Sequence, residues 1–275
     1  MRHAIQSPHA LSPSYRLGRK HDVLTGPEME VLVLGGGSPL WPGRHWSNIL
    51  LGRRILLEAP PSLPIRLHEL GVASELLDAI VISHLHGDHF AGLVFMLLEF
   101  YAVSPRSRPL VVMGPKGIRA RIAALCELCY PGLRGLTESA GCEFRELGHG
   151  DATQVGPHFI EAVEVDHGLI AGEALGYRIS SATGVVGFTG DTRWCDALMR
   201  LAENADLLIV DCTFANRRSG ATHLSLEELR ELRHRLPSSV RLLATHQGAE
   251  IAGTTAEGIL LPADGERIVL QCAGH

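Results

Sequence analysis

Apolar residues fall in short blocks separated by glycine, proline and polar turns. Met29 to Leu34 alternates as a strand and runs into Gly35-Gly36-Gly37-Ser38-Pro39. Asn48 to Leu51 and Ile55 to Glu58 flank Gly52-Arg53-Arg54 and predict a hairpin. Pro60 to Leu70 predicts a short helix that starts on prolines and is ended by Gly71. Asp78 to Ser83 is a buried strand, and Phe90 to Tyr101 an apolar helix. Further strands are expected at Pro109–Met113, Cys142–Leu147, Gln154–Val155 and His158–Val165, with a helix over Gly117–Tyr130. Ala174–Ile179 and Gly184–Thr189 form a second hairpin across Ser180 to Thr183. Asp196–Ala202 is helical, and Leu207–Asp211 a buried strand. Ser225–Leu236 is a helix capped by Ser225, with Glu228 completing a capping box. Arg241–Ala244 and Arg267–Leu270 are the last strands.

Hairpins recur in both halves with helices between them, so the pattern predicts two sheets packed face to face with helices outside. There is no internal repeat and no low-complexity linker. The 275 residues are read as one domain, with residues 1–20 loosely ordered. At 45 % hydrophobic residues the chain can build a sizeable core. A net charge of −5 argues against gripping long nucleic acid mainly by charge. No stretch approaches the roughly 20 apolar residues of a membrane span, and the first 28 residues lack the apolar core of a signal peptide. The six cysteines show no disulfide framework, and a cytoplasmic location is expected. Cys126 and Cys129 form a C-x-x-C on a helix with no second pair, and are read as packing residues.

The chemistry concentrates in Ser83-His84-Leu85-His86-Gly87-Asp88-His89, on a strand-to-helix loop. Three imidazoles and a carboxylate suit zinc, manganese or iron. One mononuclear zinc site needs three or four ligands, and these four are too close in sequence to converge comfortably on one ion. Two ions about 3.5–4 Å apart would use them all and require more. The additional donors each end a strand: His167 after Val165, Asp191 after Thr189, and His246 after Thr245. The set then numbers seven, enough for two metals. The glycine run at Gly35 is not followed by Lys-Ser/Thr, so a P-loop is rejected, and a flexible loop beside the site is expected. His45, His68, His149, His158 and His275 are read as ordinary side chains.

His84-x-His86-x-Asp88-His89 together with His167, Asp191 and His246 resembles the ligand pattern of the metallo-β-lactamase superfamily, from about residue 29 onward. The resemblance implies an α/β fold of αββα type, a four-layer sandwich of two mixed sheets. It implies one metal on His84, His86 and His167, a second on Asp88, His89 and His246, and Asp191 bridging. Asp191 stands where the true β-lactamases carry cysteine. Leu175-Gly176-Tyr177, Asp211-Cys212-Thr213-Phe214 and His223-Leu224-Ser225 resemble the phosphodiesterase branch, which includes ribonuclease Z and the cyclic-phosphate enzyme of phosphonate breakdown. Two features depart from those enzymes. His167 and Asp191 lie 24 positions apart, too few for the tRNA-clasping arm of ribonuclease Z, and no cysteine precedes Cys126 to build the third, structural zinc site of the phosphonate-pathway enzyme.

The resemblance therefore implies a dinuclear metal-dependent hydrolase, with zinc first and manganese or iron as alternatives. Its expected substrate is a small or cyclic nucleotide-like phosphodiester, attacked by metal-bound hydroxide. Asp88 and His223 carry the proton transfers: Asp88 holds the nucleophile's proton, and His223 stabilises the transition state or protonates the leaving oxygen. A lactone, thioester or carboxyl-ester hydrolase and a non-catalytic metal- or ligand-binding member are the alternatives. A homodimer is expected by the same resemblance.

Overall fold

The computed structural model describes residues 28–133, 135–168 and 172–271. The readings for residues 1–20, Cys272 and His275 lie outside the described residues. The first sheet holds β1 (Glu28–Gly35), β2 (Asn48–Leu51), β3 (Ile55–Leu57), β4 (Ala79–Val81), β5 (Leu110–Pro115), β6 (Cys142–Leu147) and β14 (Arg267–Gln271). Its strand order is β14-β1-β2-β3-β4-β5-β6. The second holds β7 (Ala152–Val155), β8 (His158–Val165), β9 (Ala174–Ser181), β10 (Gly184–Phe188), β11 (Leu207–Asp211), β12 (Arg241–Thr245) and β13 (Ile259–Leu260), in the order β13-β12-β11-β10-β9-β8-β7.

Both sheets are mixed. Strands β3 to β6 run parallel, as do β10 to β13, and antiparallel pairs complete each sheet. Parallel neighbours need a crossover, and helices supply it. They are α1 (Leu63–Glu69), α2 (Gly87–Phe90), α3 (Gly92–Ala102), α4 (Ile118–Cys129), α5 (Leu136–Ser139), α6 (Ala197–Ala202) and α7 (Leu226–Arg235).

Strands buried on both faces read as continuous apolar runs. In β1, Val31 and Val33 enter the core between the sheets, and Leu32 and Leu34 face the helices. Three apolar layers result. The middle one joins Ile49, Val81 and Met113 to Tyr177, Phe188 and Ile209. The second lies under α1, α3 and α4, and the third under α6 and α7. This is the expected αββα arrangement.

The apolar helix predicted from Phe90 begins earlier, at Gly87, and is split at Ala91. Gly92 rests on the chain leaving β3: its N–H donates to the Ala59 carbonyl at 2.8 Å, and a Cβ there would lie 2.0 Å from the Pro60 oxygen. Two elements were not anticipated, α5 and β13. At four and two residues they are too short to show a period. The glycine run at Gly35 is packed rather than open. A Cβ on Gly35 would meet the Trp46 carbonyl at 2.3 Å, and all three glycines are buried. The capping box forms as expected, with Ser225 Oγ accepting from the Glu228 N–H and the Glu228 carboxylate accepting from the Ser225 N–H. Among the described residues no helix is long and apolar enough to cross a membrane.

Two bonds tie the second sheet to the start of the histidine-rich loop. The buried Tyr177 hydroxyl donates to the Ile82 carbonyl at 2.8 Å, and the Leu175 N–H to the Ser83 carbonyl at 2.8 Å. Tyr177→Phe is expected to cost about 1–2 kcal/mol, the worth of a buried hydrogen bond and its unsatisfied remnant. Urea unfolding should show a lower midpoint with an unchanged slope.

Candidate metal centre

The parallel strands β4, β10, β11 and β12 end on one edge of the sandwich, and the loops that follow them carry the chemistry. The structure brings all seven sequence-predicted donors to that edge. His84, His86, Asp88 and His89 come from the loop and helix after β4, His167 follows β8, Asp191 follows β10, and His246 follows β12. They form overlapping groups of converging donor atoms, among them His84–His86–His167, His84–His89–Asp191 and Asp88–His89–His246. Asp191 Oδ2 is the common point. It lies 3.1 Å from His89 Nε2, 3.5 Å from His246 Nε2, and 3.8 Å from the Nε2 atoms of His84 and His167.

The outer ring nitrogens show how the histidines are oriented. His167 Nδ1 donates to the Thr222 carbonyl at 3.0 Å, so its Nε2 carries a lone pair. That Nε2 faces His86 Nδ1 at 3.3 Å, and His84 Nε2 faces the same atom at 2.9 Å. His84 is steadied from behind by Ser83 Oγ at 2.9 Å. Burial lowers the proton affinity of His84, His86 and His167, which favours the neutral imidazole in all three. Burial alone would raise Asp88 and Asp191, but the facing imidazoles outweigh it and hold both carboxyls well below their usual range.

A divalent cation fits this arrangement. The nitrogens His84 Nε2, His86 Nδ1 and His167 Nε2 converge, and with their inward positions deprotonated they offer a cation three lone pairs. His89 Nε2 and His246 Nε2 are buried and make no hydrogen bond, although carboxylate oxygens lie within 3.5 Å of each. His89 sits among Asp88, Asp191 and Glu58, a field that outweighs its burial and favours positive charge on it. Neutral imidazoles with ionised carboxylates are the ligand forms that metal binding requires.

His223 stands beside these groups at the mouth, its side chain 18 % exposed. Its Nδ1 lies 2.8 Å from Asp211 Oδ2, and its ring stacks on His246 at 4.9 Å. Asp211 and Glu58 were not assigned to the site from sequence. Asp211 is fully buried. Its Oδ2 also accepts the Thr192 N–H, and its Oδ1 accepts the Thr213 hydroxyl at 2.8 Å. Thr213 Oγ1 in turn lies 2.9 Å from His246 Nδ1. One carboxylate therefore supports both His223 and His246. The signal was available, since Asp211 ends β11 beside the strand that leads to Asp191. Glu58 is buried at φ 66°, with its carboxylate 3.5 Å from His89 Nδ1. From sequence it read only as the last residue of a hairpin strand.

His45, His68, His149 and His158 belong to none of the converging donor groups found among the described residues. No cysteine does either, and Cys126 is a buried thiol pushed up to about 11 by burial and by Cys129.

The chain matches the Beta-lactamase superfamily domain over residues 53–247, a span that holds every one of the seven donors. The ribonuclease Z of Mycobacterium sp. (strain KMS) is 28 % identical over 193 residues, covering 66 % of this chain and 67 % of that protein. The short form of human tRNase Z superposes with a TM-score of 0.68 at 20 % identity, over 87 % of this chain and 98 % of that one. A diphosphatase of the PhnP family does so with a TM-score of 0.68 at 19 % identity, over 87 % and 97 %. At these identities the structural likenesses speak for the fold alone.

Burial disfavours a charged His223, but the Asp211 carboxylate outweighs it and raises the imidazole to about 9. A group raised in the folded state stabilises fully below its unfolded pKa of about 6.5. That contribution fades as pH rises through about 9. In metal-free protein, NMR titration should therefore find the His223 ring protonated at pH 7. In Asp211→Asn the titration should fall to 6.5 or lower, and the pH dependence of stability over this window should flatten.

Proposed function

The chain belongs to the metallo-β-lactamase superfamily and is a metal-dependent hydrolase, and from that premise we propose a dinuclear phosphodiesterase acting on a small or cyclic nucleotide-like ester. His84, His86 and His167 would hold one divalent ion, Asp88, His89 and His246 the other, and Asp191 both, with zinc the first candidate. Such ions supply Lewis acidity toward a phosphoryl oxygen and bring the pKa of a water toward about 7.

The chain's own residues do the rest. Asp88, held ionised by His246 and His89, can accept a hydrogen bond from the attacking water and so orient it. His223, outside the seven donors yet 3.9 Å from Asp191 Oδ2, is favoured in its charged form by the Asp211 carboxylate and can give its proton to the leaving oxygen. Asp211 keeps that ring aimed and stabilises its charged form. A histidine held by a buried carboxylate at the edge of the converging donors is the observation that carries this reading. It suits a poor leaving group such as a sugar alkoxide, for which general acid catalysis is worth about 10²–10⁴-fold.

Three features support a small substrate. The stretch from Ala174 to Phe188 is taken up by the β9–β10 hairpin. The net charge is −5. A cavity of about 480 Å³ opens beside His167, lined by Asp166, Glu173 and Asp196 among others, a poor seat for a polyanion. The relatives named ribonuclease Z make structured RNA the competing substrate.

The deciding assay compares bis-p-nitrophenyl phosphate, a dinucleotide and a structured RNA, using zinc- or manganese-loaded protein. The expected result is turnover of both small diesters. His223→Ala should lose about 10²–10⁴-fold on the dinucleotide, and much less on the nitrophenyl ester, whose phenolate leaves without a proton. Turnover of lactones or thioesters alone, indifferent to His223→Ala, would overturn the reading.

A further inference from the structure

The Gly35–Gly37 run, which the catalytic reading leaves unused, meets the centre at one histidine. We infer that Arg44, Asp264 and this run form a clamp that positions His246 as a metal ligand, an inference that rests on the two-ion reading above. His246 has φ 52°, a left-handed conformation that a residue with a Cβ resists, so its neighbours must hold it there.

Both neighbours are tied. On one side the Thr245 and Ser47 hydroxyls share a buried hydrogen bond of 2.7 Å. On the other, the Gln247 N–H donates to the Gly36 carbonyl at 2.8 Å, and its carbonyl accepts the Ser38 N–H at 2.9 Å. The Gln247 side-chain oxygen accepts from Arg44 Nη1 at 2.9 Å. Arg44 is only 12 % exposed, and its guanidinium also grips Asp264 Oδ1 at 2.6 Å and the Pro262 carbonyl at 3.0 Å. Asp264 closes the clamp by accepting the Gly36 and His45 N–H groups at 3.0 and 2.8 Å. Glycine is required where the guanidinium lies against the backbone, since a Cβ on Gly36 would stand 2.9 Å from Arg44 Nη2.

The clamp reaches one metal group and not the other. His84 is steadied by Ser83 and His167 by Thr222, and neither contact involves Arg44 or Asp264. Loosening the clamp should therefore weaken one ion and spare its neighbour. A merely structural role would lower folding stability without that selectivity.

The test is zinc titration of metal-free protein by calorimetry, on wild type, Arg44→Lys and the milder Gln247→Met, with circular dichroism of each metal-free sample. Lysine keeps the charge and loses the fork; methionine removes the amide and leaves the backbone bridge. The expected result is two equivalents on all three proteins. In each variant one equivalent should be weakened about 10- to 100-fold, the usual effect of losing an outer-shell support, and the other should stay within about twofold. Equal weakening of both ions, or of neither, in the variant that keeps its fold overturns the clamp. Fewer than two equivalents on wild type removes the two-ion reading, and the clamp with it.

Discussion

A fully packed carboxylate, Asp191, faces the Nε2 atoms of four histidines from β4, β8 and β12 loops, and the rest of the structure serves that convergence. A buried anion survives only where positive charge offsets the cost of its desolvation. Here the charge is favoured on His89, and the imidazoles that complete the ring around the carboxylate come from both sheets. The sandwich must therefore hold its two halves in register at one edge. Tyr177 and Leu175 do so beside the histidine-rich loop, and the shared apolar layer between the sheets does so behind it.

The residues behind the donors are as specific as the donors themselves. The segment from Asp211 to Ser225 supports both ends of the centre. Thr213 reaches His246, Thr222 holds His167, and Asp211 aims His223. His223 and two candidate metal ligands thus share one short frame. The frame closes on itself through the Thr213 and Leu226 amides, with Ser225 opening the helix that follows. Movement of this segment would disturb His223, His246 and His167 together.

Much of this was legible in the chain. Apolar runs long enough for strands buried on both faces marked nearly every sheet element, because both faces being covered leaves no polar alternation to confuse the pattern. The donors were legible because each ends such a run, where side chains of neighbouring strands meet. What escaped was of two kinds. Elements such as α5 and β13 carry too few residues for any period. Supporting groups such as Arg44 and Asp264 act through partners remote in sequence, these two lying 220 positions apart, while Asp211 and Glu58 gain their roles only from side chains that the fold aims at them. A glycine run read as loose is packed because its missing side chains make room for a guanidinium supplied by another segment.

The proposed chemistry needs two cations sharing Asp191. Anomalous scattering from a crystal of the zinc-loaded protein tests that directly. Two zinc peaks on either side of the Asp191 carboxylate, one among His84, His86 and His167 and one among Asp88, His89 and His246, are the predicted result. A single peak, or zinc bound away from Asp191, would contradict it.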